Sequence, residues 1–128
     1  MRKLIVLALA VLATASLAAA PGAVAGDDDA VIKRGNCTGA ADWKLKAKLD
    51  DGRIETEFEV DQNRVGRRWK VTLRRDGNVV FRGVRTTKAP SGSFEVERRI
   101  SNSAGSDRIV ARARALATGQ VCRGSLTI

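Results

Sequence analysis

The stretch DWKLKAKLDDGRIETEFEV, residues 42–60, decides the fold, because two periodicities and a turn signal meet in it. Lys44, Lys46 and Lys48 alternate with Trp43, Leu45, Ala47 and Leu49, while Glu55, Glu57 and Glu59 alternate with Ile54, Thr56, Phe58 and Val60. A period of two belongs to a half-buried strand. Between the two runs, Asp51-Gly52 is a favoured two-residue hairpin turn, since both positions accept a positive φ. Placing Asp50 opposite Arg53 brings Lys48 to Glu55, Lys46 to Glu57 and Lys44 to Glu59. The same register brings Leu49 to Ile54, Leu45 to Phe58 and Trp43 to Val60. A slip of one residue would break turn, core face and charges together. The lysines therefore read as cross-strand partners of the glutamates, each pair contributing about 0.2–1 kcal/mol and chiefly fixing register.

The period of two continues outward from this hairpin. Trp69, Val71 and Leu73 alternate with charged residues, and a second Asp-Gly at Asp76-Gly77 precedes an apolar run from Val79 to Val84. Which face of that run points inward depends on whether the turn has two or three residues, and both registers stay open. Thr86 to Ser93 reads as a loop turning at Pro90-Ser91-Gly92. Phe94, Val96 and Ile100 follow, then the polar loop SNSAGSD at 101–107, then Ile109, Ala111, Ala113 and Ala115. The last run, Val121 to Ile128, places Cys122, Gly124, Leu126 and Ile128 on one side.

Short alternating runs without a convincing helix predict an all-β domain, a seven-stranded antiparallel β-sandwich. The layout resembles the immunoglobulin or fibronectin type III architecture. That resemblance implies one sheet from the runs at 43–49, 54–60 and 94–100 and a second sheet from the other four. A rival topology joins the runs at 94–100 and 109–115 as a hairpin, matching Glu97 with Arg112 and Glu95 with Arg114. Over its mature region the chain is similar to small exported β-sandwich proteins of high-GC bacteria, on pattern and composition rather than on a diagnostic motif.

The first residues set the expected compartment. Met1-Arg2-Lys3 is a positive start, Leu4 to Leu17 an apolar run, and Ala23-Val24-Ala25 a peptidase site, so residues 1–25 read as a signal peptide and the product as secreted. The run is alanine-rich and short of the ~20 apolar residues of a membrane span, so no span is expected after processing. Residues 26–36 read as a flexible acidic N-terminus and 37–128 as the domain. Cys37 and Cys122, the two cysteines of the chain, are expected to form one disulfide. In the chain-entropy model such a long loop contributes roughly 4–5 kcal/mol. With no histidine present, the cysteines make a poor zinc site.

The chain carries a formal charge of +9 at pH 7. In the predicted sandwich one sheet sets three lysines and Arg99 against Glu55, Glu57, Glu59, Glu95 and Glu97. The other presents Arg68, Lys70, Arg74, Arg112, Arg114 and Arg123 with no opposing carboxylate. Such a face attracts polyanions by counterion release and steering. The expected partners of an exported protein are extracellular DNA, acidic polysaccharide, envelope phosphate polymers or an acidic protein. The aromatic residues fall mostly on inward positions, which leaves no stacking platform and argues against sequence-specific nucleic-acid recognition.

Catalysis is not expected: there is no histidine, no Gly-x-Ser-x-Gly elbow and no phosphate loop. No cofactor is implied. Glu55, Glu57 and Glu59 each have a lysine neighbour. Asp27-Asp28-Asp29, Asp50-Asp51-Gly52 and Asp76-Gly77-Asn78 read as tail and turn chemistry rather than metal ligands. The expected function is a non-catalytic, monomeric binding module, secreted or at the cell surface. The alternative is a structural or adhesive domain that binds protein through loops or a strand edge, its arginines serving solubility and discouraging edge association.

Overall fold

The computed structural model describes residues 29–128; the expected signal peptide at 1–25 lies outside the described residues. Eight strands follow in order: β1 (Val31–Asn36), β2 (Asp42–Asp50), β3 (Arg53–Asp61), β4 (Arg68–Arg75), β5 (Asn78–Thr86), β6 (Ser93–Ser101), β7 (Arg108–Ala115) and β8 (Val121–Thr127). They form two four-stranded antiparallel sheets, ordered β1-β2-β3-β6 and β5-β4-β7-β8. No described helix is long and apolar enough to cross a membrane.

The founding hairpin has the predicted register, with Lys44 opposite Glu59, Lys46 opposite Glu57, Lys48 opposite Glu55, and Leu45 opposite Phe58. Its turn places Asp51 at φ 51° and Gly52 at φ 74°, the left-handed pair that matches the twist of the flanking strands. The count of strands differs from the seven expected. The extra one, β1, comes from the stretch read as a flexible terminus and pairs with β2 through Ile32 opposite Lys46 and Arg34 opposite Lys44. As an edge strand it buries little on either face, so VIKRGN carries no apolar alternation to reveal it. Backbone pairing and the adjacent disulfide hold it.

The second hairpin resolves the open register through a bulge. Its turn has two residues, Asp76 at φ 47° and Gly77 at φ 84°. Arg74 faces Val79, and after a register shift Leu73 faces Phe81. Val80 is the extra residue, and it reverses the phase of everything beyond it. Phe81 turns inward and Arg82 outward. The rival β6–β7 hairpin does not form, since β6 pairs with β3 and β7 lies between β4 and β8.

Both sheets contribute to one core, including Leu45, Ile54, Phe58, Trp69, Val71, Leu73, Val96 and Ile109. Trp69 and Phe94 meet across the layers at 6.2 Å between ring centroids, and the indole N–H of Trp69 donates to Gln62 Oε1 at 2.9 Å. Cys37 follows β1 in the first sheet and Cys122 sits in β8 of the second, so their disulfide links the layers along one edge. Beside it, Trp43 occupies a slot that two glycines leave open. A methyl group on Gly35 would lie 2.7 Å from the indole, and one on Gly124 only 2.4 Å.

At the opposite edge Phe81 lies under two guanidinium groups, Arg85 at 5.0 Å and Arg98 at 4.5 Å from the ring centroid. Arg98 comes from β6 and Arg85 from β5, so this stack spans the layers where no disulfide does. At the far pole Asp107, in the loop read as merely polar, is fully buried. Ser103 donates its hydroxyl to the Asp107 carboxylate, and Arg75 Nε approaches it at 4.0 Å.

Candidate functional site

The second sheet builds its outer face by register. On β4, Arg68, Lys70 and Arg74 share a side because strand side chains alternate. Pairing then extends that side across the sheet. Thr72 faces Arg82 on β5 and Arg112 on β7, and Arg112 faces Arg123 on β8. One row therefore reads Arg82, Thr72, Arg112, Arg123. Its neighbour reads Val84, Lys70, Arg114, Val121, and the next Val79, Arg74, Val110, Ser125. Arg108, opposite Thr127, extends the same side.

All six residues expected from sequence, Arg68, Lys70, Arg74, Arg112, Arg114 and Arg123, are exposed and lie on this one face. Arg82 and Arg108 belong with them. Arg82 was hidden by the bulge, which only the paired structure reveals. Arg108 sits one residue before the apolar alternation of β7 and so outside the run that marked the strand. No aspartate or glutamate occurs on β4, β5, β7 or β8. Among the described residues, none of these exposed cations on the outer face has an ion-pair partner. Lys70 lies directly opposite Arg114, and Arg112 opposite Arg123. Like charges so placed repel one another, a cost that an anionic ligand removes.

The first sheet shows the contrasting arrangement. Its cations and carboxylates meet across strands, with Lys46 Nζ 4.0 Å from Glu57 on the neighbouring strand and Arg99 Nη2 of β6 reaching past β3 to Asp50 of β2 at 3.3 Å. Toward β6 Glu55 still faces a cation, Arg99, but beyond it the compensation ends, because Glu57 faces Glu97 and Glu59 faces Glu95. Glu95 is pushed up to about 7, first by its hydrogen bond with Glu97, then by partial desolvation and the charges of Glu57, Glu97 and Glu59. Carboxylate oxygens of Glu57, Glu95 and Glu97 lie within 4.8 Å of one another. They form the acidic counterpart to the basic face, on the other side of the molecule.

The two tryptophans and three phenylalanines are buried or half-buried, so neither face carries an aromatic platform. Both cysteines are committed to the disulfide. No protein-family model, curated protein or solved structure matches this chain.

Proposed function

We propose that this is a non-catalytic binding module whose second sheet engages an anionic polymer or an acidic protein at the cell surface or outside the cell. The observation that carries the reading is the outer face of β5-β4-β7-β8, where exposed arginines and Lys70 stand without a carboxylate on any of the four strands. The disulfide is consistent with an oxidising, extracellular setting. The order β2-β3-β6 against β5-β4-β7-β8 supports an immunoglobulin-like or fibronectin type III-like sandwich to which β1 has been added. Without a stacking platform the contacts run to phosphate, sulfate or carboxylate groups rather than to bases, so binding is steeply salt-dependent and not selective for sequence.

The test is a salt titration of the oxidised protein against heparin and duplex DNA, beside the variant Arg112→Glu, Arg114→Glu, Arg123→Glu. Steep salt dependence lost in the variant, with its melting temperature preserved, supports the reading. Equal weak retention of both proteins overturns it in favour of a structural or adhesive domain that binds through loops or strand edges.

A further inference from the structure

At the pole where β3 passes to β4, the structure holds a recess of about 310 Å³ whose polar lining includes Gln62, Arg64, Arg67, Arg68, Thr118 and Gln120, with alanines between them. Among the described residues, no carboxylate lines it. The neutral groups in it have their acceptor oxygens engaged from within the protein. Gln62 Oε1 accepts from the Trp69 indole at 2.9 Å, and Gln120 Oε1 accepts from the Ala41 amide at 2.9 Å. Thr118 Oγ1 accepts from the Gln120 amide at 3.2 Å. Both indole and backbone amide can only donate, which fixes the two glutamine amides with oxygen toward them. Their NH2 groups, the threonine hydroxyl proton and three guanidinium groups remain as donors. The recess is thus an array of hydrogen-bond donors with positive charge.

Its framework is held in place. Thr87, 1% exposed, donates its hydroxyl to the Arg64 carbonyl and accepts the Arg67 amide at 2.9 Å. Thr87 also exchanges backbone bonds with Arg67 and Gly66 at 2.8 Å each. Gly92 lets the 63–64 backbone pass close by: a methyl group there would lie 2.3 Å from the Arg64 nitrogen. On the facing side the Leu116 amide donates to the Arg68 carbonyl at 3.0 Å. Arg64 and Arg67 therefore stand on a braced loop, and little backbone ordering opposes ligand capture.

We propose that this recess binds a single phosphate- or sulfate-ester group carried on a sugar-sized molecule, free or at the end of an anionic polymer. Guanidinium forks match tetrahedral oxyanions bidentately, and the volume is at the lower end of small-ligand sites, larger than an inorganic anion needs. The site shares Arg68 with the basic face but does not depend on that face binding a polymer.

The test is an NMR titration of the labelled, oxidised protein with glucose 6-phosphate, with glucose and inorganic phosphate as comparisons. The expected result is saturable one-to-one binding that shifts the side-chain amides of Gln62 and Gln120 and the backbone of residues 62–68. Glucose should shift nothing, and inorganic phosphate should bind more weakly than the ester. Arg64→Ala with Arg67→Ala should weaken binding about tenfold or more, because charge-assisted bidentate contacts are lost. Arg64→Lys with Arg67→Lys keeps the charge without the fork and should also weaken it, with the melting temperature unchanged. Reversal of Arg112, Arg114 and Arg123 should leave the pattern of shifted residues intact, which separates this site from the polymer-binding face whatever heparin and DNA show. A linear oligosaccharide carrying one phosphate ester at one end distinguishes the sources: one equivalent per chain acting at residues 62–68 identifies a polymer end, and response to the monomeric ester alone identifies a free ligand. Shifts that do not saturate, that spread evenly over the second sheet, or that persist unchanged in Arg64→Ala, Arg67→Ala overturn the proposal.

Discussion

The two outer faces of this molecule are built from the same strand geometry and treat charge in opposite ways. On the first sheet the β2–β3 hairpin sets a lysine opposite each glutamate, so its charges fix the register. On the second sheet no strand carries an acid, and arginine faces arginine or lysine across neighbouring strands. The first arrangement stabilises the fold and leaves little field outside. The second costs self-repulsion and projects a field. A count of basic residues alone would treat the two sets as one, whereas pairing shows which cations are answered within the chain.

The most severe way to probe the pair of sheets is to cut the covalent link between them. Replacing Cys37 and Cys122 by alanine should cost roughly 4 kcal/mol, measured by denaturant unfolding, since the bridged residues are 85 apart in sequence. A loss below 1 kcal/mol would mean that the Trp43 slot and the core hold this edge without it.

Next comes a matched neutralisation of the two faces. Arg112→Gln, Arg114→Gln, Arg123→Gln and Lys44→Gln, Lys46→Gln, Lys48→Gln remove the same charge. The arginine set should lower polyanion affinity by about 100-fold or more near 0.1 M salt and reduce the salt slope by about 3. The lysine set should leave the slope nearly unchanged while costing about 1–2 kcal/mol of stability, through the lost cross-strand pairs. Equal effects of the two sets on binding would show that net charge, rather than a face, governs association.

Gly124→Ala tests the layer contact more locally. Its new methyl group would meet Trp43 at 2.4 Å, so about 1–3 kcal/mol should be lost, and Trp43 fluorescence should change as the indole is displaced.

The smallest effect concerns the acidic end of the first sheet. Glu95 has its folded value raised from 4.5 to about 7, so the folded state holds a proton that the unfolded chain releases more readily. The stability this contributes is fully present below about pH 4.5 and is lost as pH rises through about 7. Glu95→Gln should therefore flatten the dependence of melting temperature on pH between 5 and 8. The shift should be no more than a few degrees, because the group is largely exposed and screened. An unchanged profile would show that the Glu59–Glu95 and Glu57–Glu97 juxtapositions are relieved by side-chain motion.

Local pattern determined a great deal of this protein. The alternation of residues 42–60, with Asp51-Gly52 between its halves, specified the first hairpin to the residue, because turn, core face and charge pairs all select one register. Alternation in the same way placed Arg68, Lys70, Arg74, Arg112, Arg114 and Arg123 on outward positions, and a period of two needs no knowledge of neighbours to do so. What the chain alone left undecided depends on partners distant in sequence or on irregular pairing. Strand β1 is defined by its hydrogen bonds to β2 and has no apolar face to announce it. The phase of β5 rests on the bulge at Val80, which put Arg82 on the basic face and Phe81 beneath Arg85 and Arg98. The burial of Asp107 and the donor-lined recess at the β3–β4 pole each bring together loops remote along the chain. Periodicity carries the information that a strand needs about its own two sides, and only the folded packing decides which strands, turns and loops come to share a surface.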